Sequence, residues 1–235
     1  MKRAVLFDLY GTLVDIKTNE EGAVLWQGLA DWSAANLGRG VSPEQLRRDY
    51  FGLVEEKVKI YGEGFVLAEV IHELLGGEVS EDQTQRFANQ FRKLSTQSLE
   101  LREYAIPLLT RLRAGRFRLA LVSNTEAIFS NYDIGRLGLR QFFDAIVLSS
   151  EVGVAKPDPE ILERALSSIL VTSPEAVFVG DTAETDAAAA KALDMPCVLI
   201  ESSSEKRTTY IDDLVSFVPP MLEDIYAELI RLLDS

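Results

Sequence analysis

The chain has 235 residues, 47% hydrophobic and 26% charged, with 37 acidic against 24 basic side chains and a net charge of −13. That length and composition fit one large globular domain or two modest ones. A surface so acidic argues against non-specific binding to nucleic acid or anionic membrane, which needs basic patches.

The single cysteine, Cys197, allows no internal disulfide and fits a reducing compartment. Its apolar neighbours make it a buried strand residue. The single histidine, His72, nearly excludes a His–Asp catalytic system or a multi-histidine metal site. It sits in a helical pattern and reads as structural or exposed. The apolar run after Lys2 is too short for a signal peptide and is broken by Asp8. No apolar stretch reaches the roughly 18 residues of a membrane span. A soluble, cytoplasmic protein is expected.

Taken in order, Ala4 to Phe7 is a short apolar run bounded by turn chemistry, which predicts a buried strand. It ends at Asp8, followed by Leu9-Tyr10-Gly11-Thr12. A lone Asp after a strand most simply ends it or caps a turn. At the carboxyl end of a strand in an open α/β sheet it also stands where ligands bind.

From about Glu20 to Leu99 the apolar spacing is helical. A first helix carries Leu25, Leu29 and Trp32 and stops at Gly38. Ser42-Pro43-Glu44-Gln45 opens a second, to about Tyr61. A third runs from about Phe65 to Leu75, and Ser80-Glu81-Asp82-Gln83 opens a fourth, to about Leu99. The aromatic residues Trp26, Trp32, Tyr50, Phe51, Tyr61 and Phe65 read mainly as core of this helical unit.

From Leu101 the pattern alternates helix and strand, as in βαβ units. Predicted strands are Phe117 to Val122, Ala145 to Leu148, Ala176 to Val179 and Cys197 to Ile200, with a brief apolar stretch at Phe217-Val218. Predicted helices are Tyr104 to Arg113, Ala127 to Leu137, Pro159 to Leu170, an Ala-rich one from Thr185 to Leu193, and a last one after Pro220. Residues 201–210 read as a mobile loop. The expected fold class is α/β, a Rossmann-like parallel sheet with helices on both faces. Residues 1–15 and 101–235 would form it, and 16–100 an inserted all-helical cap.

Four strands end in polar residues that can converge: Asp8; Ser123-Asn124; Lys156, in Gly153-Val154-Ala155-Lys156-Pro157; and Asp181 with Asp186, after Gly180. In this order the four stretches resemble the motifs of the haloacid dehalogenase-like hydrolase superfamily. An inserted cap is the layout of its dehalogenase-like subgroup. The resemblance implies Asp8 as nucleophile and Lys156 as the neutralising cation. It implies Ser123, Asn124 and Thr12 as substrate contacts. It places Mg²⁺ on Asp8, Asp181, Asp186 and the backbone carbonyl of Tyr10, and it implies a cap that closes over the site to exclude water.

Tyr10 departs from the family's phosphatases, where a second Asp serves as general acid and base. Asp8-Leu9-Tyr10-Gly11-Thr12 looks instead like the first motif of the L-2-haloacid dehalogenases, which need no metal. Asp181 and Asp186 lean the other way. Three carboxylates beside one Lys would repel an anionic substrate unless a cation joined them.

The expectation is therefore a Mg²⁺-dependent phosphatase acting on a small phosphate ester or acyl phosphate through an aspartyl-phosphate. A metal-free dehalogenase, gripping a carboxylate with Arg39, Arg47 or Arg48, is the alternative. A binding module with little catalysis is the third reading. Oligomeric state is not legible.

Overall fold

A computed structural model describes residues 4–61, 66–201, 209–210 and 213–234. The elements in chain order begin with β1 (Ala4–Phe7), β2 (Val14–Thr18), α1 (Ala23–Leu37), α2 (Pro43–Tyr61), α3 (Leu67–Leu74), α4 (Glu81–Ser95) and β3 (Thr96–Leu101). They continue with α5 (Ala105–Ala114), β4 (Arg118–Ser123), α6 (Ala127–Arg136), β5 (Ala145–Leu148), α7 (Ser149–Val152), α8 (Glu160–Ser168) and β6 (Ala176–Gly180). Then come α9 (Ala188–Lys191), β7 (Cys197–Ile200), β8 (Thr209–Tyr210), β9 (Val215–Val218) and α10 (Leu222–Asp234). Two compact units result: Met1–Asp15 with Glu100–Thr125 and Leu137–Ser235, and Ile16–Leu99 with Glu126–Arg136.

The first unit is α/β. Its described strands form one sheet in the order β5-β4-β1-β6-β7-β9-β8, parallel throughout except for β8. Strands covered on both faces read as unbroken apolar runs, and Ala4–Phe7 and Cys197–Ile200 are buried at every position. Alternation sorts the side chains by face. Leu6, Ala120, Val122, Phe178 and Leu199 join one core cluster with Ile161, Leu162 and Ala165 of α8. Their neighbours Val5, Phe7, Leu121 and Val179 point to the opposite face. β1 is central, with Phe7 in register with Leu121 of β4 and Val179 of β6. The carboxyl ends of these three strands therefore lie side by side.

Three expectations differ from the structure. β2 and β3 pair as a separate two-stranded sheet, where helical spacing masked them. Thr209–Tyr210 pairs antiparallel with β9, while residues 202–208 of the expected loop lie outside the described residues. The expected helix from Thr185 begins instead as a π turn over Ala183–Ala187 and continues as a four-residue α9.

The second unit is helical. Trp26, Tyr50 and Phe91 are buried at its centre, with Trp26 5.4 Å from Tyr50 and 5.7 Å from Phe91 between ring centroids. Phe65 and the side chain of Tyr61 lie outside the described residues. Gly38 ends α1 in a left-handed conformation. Ser80 and Gln83 form a reciprocal capping box at α4, at 3.2 and 2.9 Å. His72 bonds the Gly77 carbonyl at 3.0 Å and lies 3.3 Å from Thr84 Oγ1, a structural role. Arg47 pairs with Glu21 and lies over the Phe51 ring, and Arg48 donates to Gln45 at 2.7 Å. α6 belongs to this unit through Ile128 and Phe129, which pack in its aromatic core. No helix among the described residues is long and apolar enough to cross a membrane.

α6 also caps α3. Val66 offers no side-chain cap, and the Leu67 N–H donates to Glu126 Oε2 at 3.0 Å. Burial raises the Glu126 carboxyl above its ordinary value, against a smaller lowering by that hydrogen bond. The folded unit then holds this proton more tightly than the unfolded chain, so stability falls as pH rises from 4.5 through the raised value. Glu126→Gln keeps an acceptor for Leu67 and is expected to flatten that part of the pH dependence in urea melts at pH 4.5 and 7. Glu126→Ala should cost about 1 kcal/mol, the usual worth of a cap. An unchanged slope in the Gln variant would assign the dependence to other groups, Glu20 first, since burial raises it too.

Candidate active site

Asp8 follows β1, and its backbone N–H continues the ladder to the Val179 carbonyl at 2.9 Å. Its side chain is buried. Ser123, the last residue of β4, is buried and in register with Leu148 of β5. Lys156, from the loop after α7, is only 4% exposed. Its Nζ donates to Asp8 Oδ1 at 2.7 Å and to the Val122 carbonyl at 3.1 Å, and stands 2.7 Å from Asp186 Oδ1. A lysine is ordinarily a solvated surface residue. Two carboxylates and a strand-end carbonyl hold this one inside.

Asp181 follows β6, and the π turn carries Asp186. Such single π turns recur at functional sites. This one brings Asp186 Oδ2 back onto the N–H groups of Asp181 and Thr182, at 3.0 and 3.1 Å. Thr182 Oγ1 donates to Asp181 Oδ1 at 3.2 Å.

Two glycines make the spacing possible. Gly11 has φ +84°, a region open mainly to glycine, and a Cβ there would lie 2.1 Å from Asp181 Oδ2. A Cβ on Gly180 would lie 2.3 Å from Asp186 Oδ2. Any side chain at either position displaces a carboxylate.

These groups line one cavity of about 260 Å³: Asp8, Tyr10, Ser123, Asn124, Lys156, Asp181 and Asp186, with Thr182 and Thr185. The two threonines were not singled out from the sequence. A hydroxyl directly after Asp181 was the available signal. Thr12 is not among the lining residues. It is fully buried, and its carbonyl accepts a hydrogen bond from the Tyr104 hydroxyl. The expected substrate contact at Thr12 is thus not among the groups that line the cavity. Asn124 lines the cavity, but its amide is engaged with the backbone of Lys156.

The electrostatics are those of a crowded acid site. Burial pushes the Asp8 carboxyl up to about 6; Lys156 pulls it down and Asp186 adds to the rise. Burial would lower Lys156, but Asp8 and Asp186 outweigh it and hold its ammonium above the ordinary value. Asp181 is raised by partial burial and by Asp186.

One carboxylate oxygen each of Asp8, Asp181 and Asp186 lies within 4.8 Å of the others. Asp186 Oδ1 is buried and stands 2.7 Å from the Lys156 ammonium. An all-oxygen donor set with more carboxylates than the one lysine paired to it can neutralise fits a hard divalent cation such as Mg²⁺. It does not suit a soft metal, which would seek Cys or His.

A family model described as haloacid dehalogenase-like hydrolase matches residues 2–194. The chain is 30% identical over 240 residues to a glyceraldehyde 3-phosphate phosphatase of Methanopyrus kandleri, covering 98% of this chain and all of that one. It is 26% identical to an (S)-2-haloacid dehalogenase of a Pseudomonas species, over 77% of this chain and 76% of that one. Among solved structures, a HAD phosphatase from Thermococcus onnurineus shares the fold at a TM-score of 0.60 and 22% identity, over 97% of both chains.

Proposed function

Because the chain belongs to the haloacid dehalogenase-like hydrolases, we propose that it is a Mg²⁺-dependent phosphatase acting on a small phosphate ester or acyl phosphate. The observation that carries this reading is the cluster of Asp8, Asp181 and Asp186, with Lys156 paired to Asp8 and Asp186. Three carboxylates would repel a phosphate; Asp8, Asp181, Asp186 and the Tyr10 carbonyl would hold a metal that, when bound, would neutralise that charge and polarise phosphoryl oxygens. The phosphatase name of the Methanopyrus relative supports the same class of substrate.

In this reading an Asp8 carboxylate oxygen attacks phosphorus. A new O–P bond forms on Asp8 and the bond to the leaving oxygen breaks. Lys156 holds Asp8 ionised and aimed, and offsets negative charge as it gathers on the phosphoryl group. Ser123 Oγ donates to a phosphoryl oxygen. Water then attacks the aspartyl-phosphate, releasing inorganic phosphate and restoring the Asp8 carboxylate.

Tyr10 shapes the leaving-group side. A phenol near its reference pKa of about 10 is a poor substitute for a carboxylate as proton carrier. Aryl and acyl phosphates, whose leaving groups need little protonation, should be the better substrates. Tyr10→Asp is expected to raise kcat most on alkyl phosphates, by about 10-fold or more if it supplies general acid catalysis. Equal loss on both substrate classes would assign Tyr10 to packing or substrate contact.

The direct test is p-nitrophenyl phosphate hydrolysis with Mg²⁺ and with excess EDTA, beside chloride release from L-2-chloropropionate. Magnesium-dependent phosphate release is expected. EDTA-insensitive chloride release would overturn the proposal in favour of the second reading, a dehalogenase, which Tyr10 favours.

A further inference from the structure

Asn124 is exposed beside the cavity, and the residue it touches is not. Its Nδ2 donates to the Lys156 carbonyl at 2.7 Å, and its Oδ1 accepts from the Lys156 N–H at 2.8 Å. One side-chain amide thus closes on both main-chain polar groups of a single residue 32 positions away. Two bonds on one planar group fix the orientation of that residue, where one would leave it free to pivot. Lys156 is also the residue whose side chain bridges Asp8 and Asp186.

The next residue repeats the device. The Thr125 N–H donates to Ser149 Oγ at 2.9 Å, and Ser149 Oγ lies 3.3 Å from the Thr125 carbonyl. The segment leaving β4 is therefore stitched to the segment leaving β5 at two consecutive residues. Lys156 hangs from the first of those stitches.

We infer that Asn124 is a positioning residue, acting on the reaction through Lys156 and not by binding the substrate. A substrate contact by an amide needs a free donor facing the anion. Here the amide oxygen and one of its two N–H donors are committed to Lys156, so at most one N–H is left for an anion. The consequence for catalysis follows from reach. The Lys156 ammonium sits at the end of a four-carbon stem, so a small rotation of its backbone is magnified at Nζ. A displacement of about 1 Å at a reacting group costs on the order of 10²-fold in rate.

The rate arm of the test rests on the phosphatase reading; the exchange arm does not. Asn124→Ala, Lys156→Met and the double variant would be compared with wild type on p-nitrophenyl phosphate with Mg²⁺. Amide exchange of Lys156 would be followed by NMR in wild type and Asn124→Ala. Asn124→Ala is expected to lower kcat by about 10- to 100-fold while KM changes by less than about 3-fold, as loss of a transition-state interaction requires. The double variant should be no slower than Lys156→Met, since no ammonium remains to be positioned. Lys156 amide exchange should accelerate while the amides of β1 and β6 stay protected, which shows the fold intact. If Asn124→Ala unfolds, Asn124→Ser, where water fills the lost volume, carries the same comparison.

Multiplicative losses in the double variant, or a rise in KM alone, would make Asn124 a substrate contact and overturn the inference. Unchanged exchange at Lys156 would overturn it whatever the enzyme hydrolyses. Absence of wild-type hydrolysis with accelerated exchange would remove the phosphatase reading and leave the clamp on Lys156 standing.

Discussion

Asp8→Asn is expected to abolish phosphate release, lowering kcat by about 10⁴-fold or more, while leaving the protein folded. The two side chains are nearly isosteric, so packing is kept. The chemistry is not, since a neutral amide cannot displace the leaving oxygen or carry the phosphoryl group. Stability should hold or rise. Burial pushes the Asp8 carboxyl up to about 6, so its charge near neutral pH is unfavourable to the folded state. That contribution is most favourable at low pH and is lost as pH rises through about 6. Lys156 keeps its second partner, Asp186 at 2.7 Å, and is not left unpaired. The checks are phosphate release and a thermal midpoint measured on the same preparation. Hydrolysis within about 10-fold of wild type would mean that Asp8 is not the nucleophile. A collapsed midpoint would mean that the carboxylate is structural. Because a dehalogenase would lose activity in this variant too, the assay is paired with EDTA treatment and chloride release.

The second large effect concerns stability, in the helical unit. Arg92 of α4 and Asp133 of α6 form a buried ion pair, with Nε at 2.8 Å and a terminal nitrogen at 2.7 Å from the same Asp133 oxygen. The guanidinium also lies 5.5 Å from the centre of the Phe129 ring. Asp133→Ala removes the carboxylate bonded to this largely buried cation and is expected to cost about 3–5 kcal/mol. If the 235-residue chain unfolds as a whole, that is a fall in midpoint of about 6–20 °C. Replacing both partners by Leu should recover much of the loss, because the desolvation of two charges disappears with their attraction. Urea unfolding of the two single variants and the double variant reads this directly. A cost below about 1 kcal/mol for Asp133→Ala would show that other groups satisfy Arg92.

The strand ends were legible because their signal is local. Ala4–Phe7 and Cys197–Ile200 are buried apolar runs and Ala145–Leu148 a partly buried one in a parallel sheet, and each meets a polar residue where the chain leaves the sheet. Gly11 was legible as a tight turn for the same reason. β2 and β3 were not, since Val-Asp-Ile-Lys-Thr and Thr-Gln-Ser-Leu-Glu-Leu pair with each other outside the main sheet, and neither is strongly apolar. The π turn over Ala183–Ala187 was read as ordinary helix. Its alanines favour helix locally, and only the bonds from Asp186 back to residues 181 and 182 select the wider turn.

By itself the sequence determined an α/β sheet, the polar residues at its strand ends and the acidic surplus among them, because hydrophobic periodicity and residue chemistry are properties of short stretches. Tertiary structure alone decided which of those residues meet. Asp8, Lys156 and Asp186 are far apart in the chain, yet the Lys156 ammonium lies 2.7 Å from a carboxylate oxygen of each of the other two. Thr12 is fully buried outside the cavity lining, and Asn124 is turned to Lys156. Their positions in the chain place them near the nucleophile, but side-chain direction depends on partners supplied from distant segments.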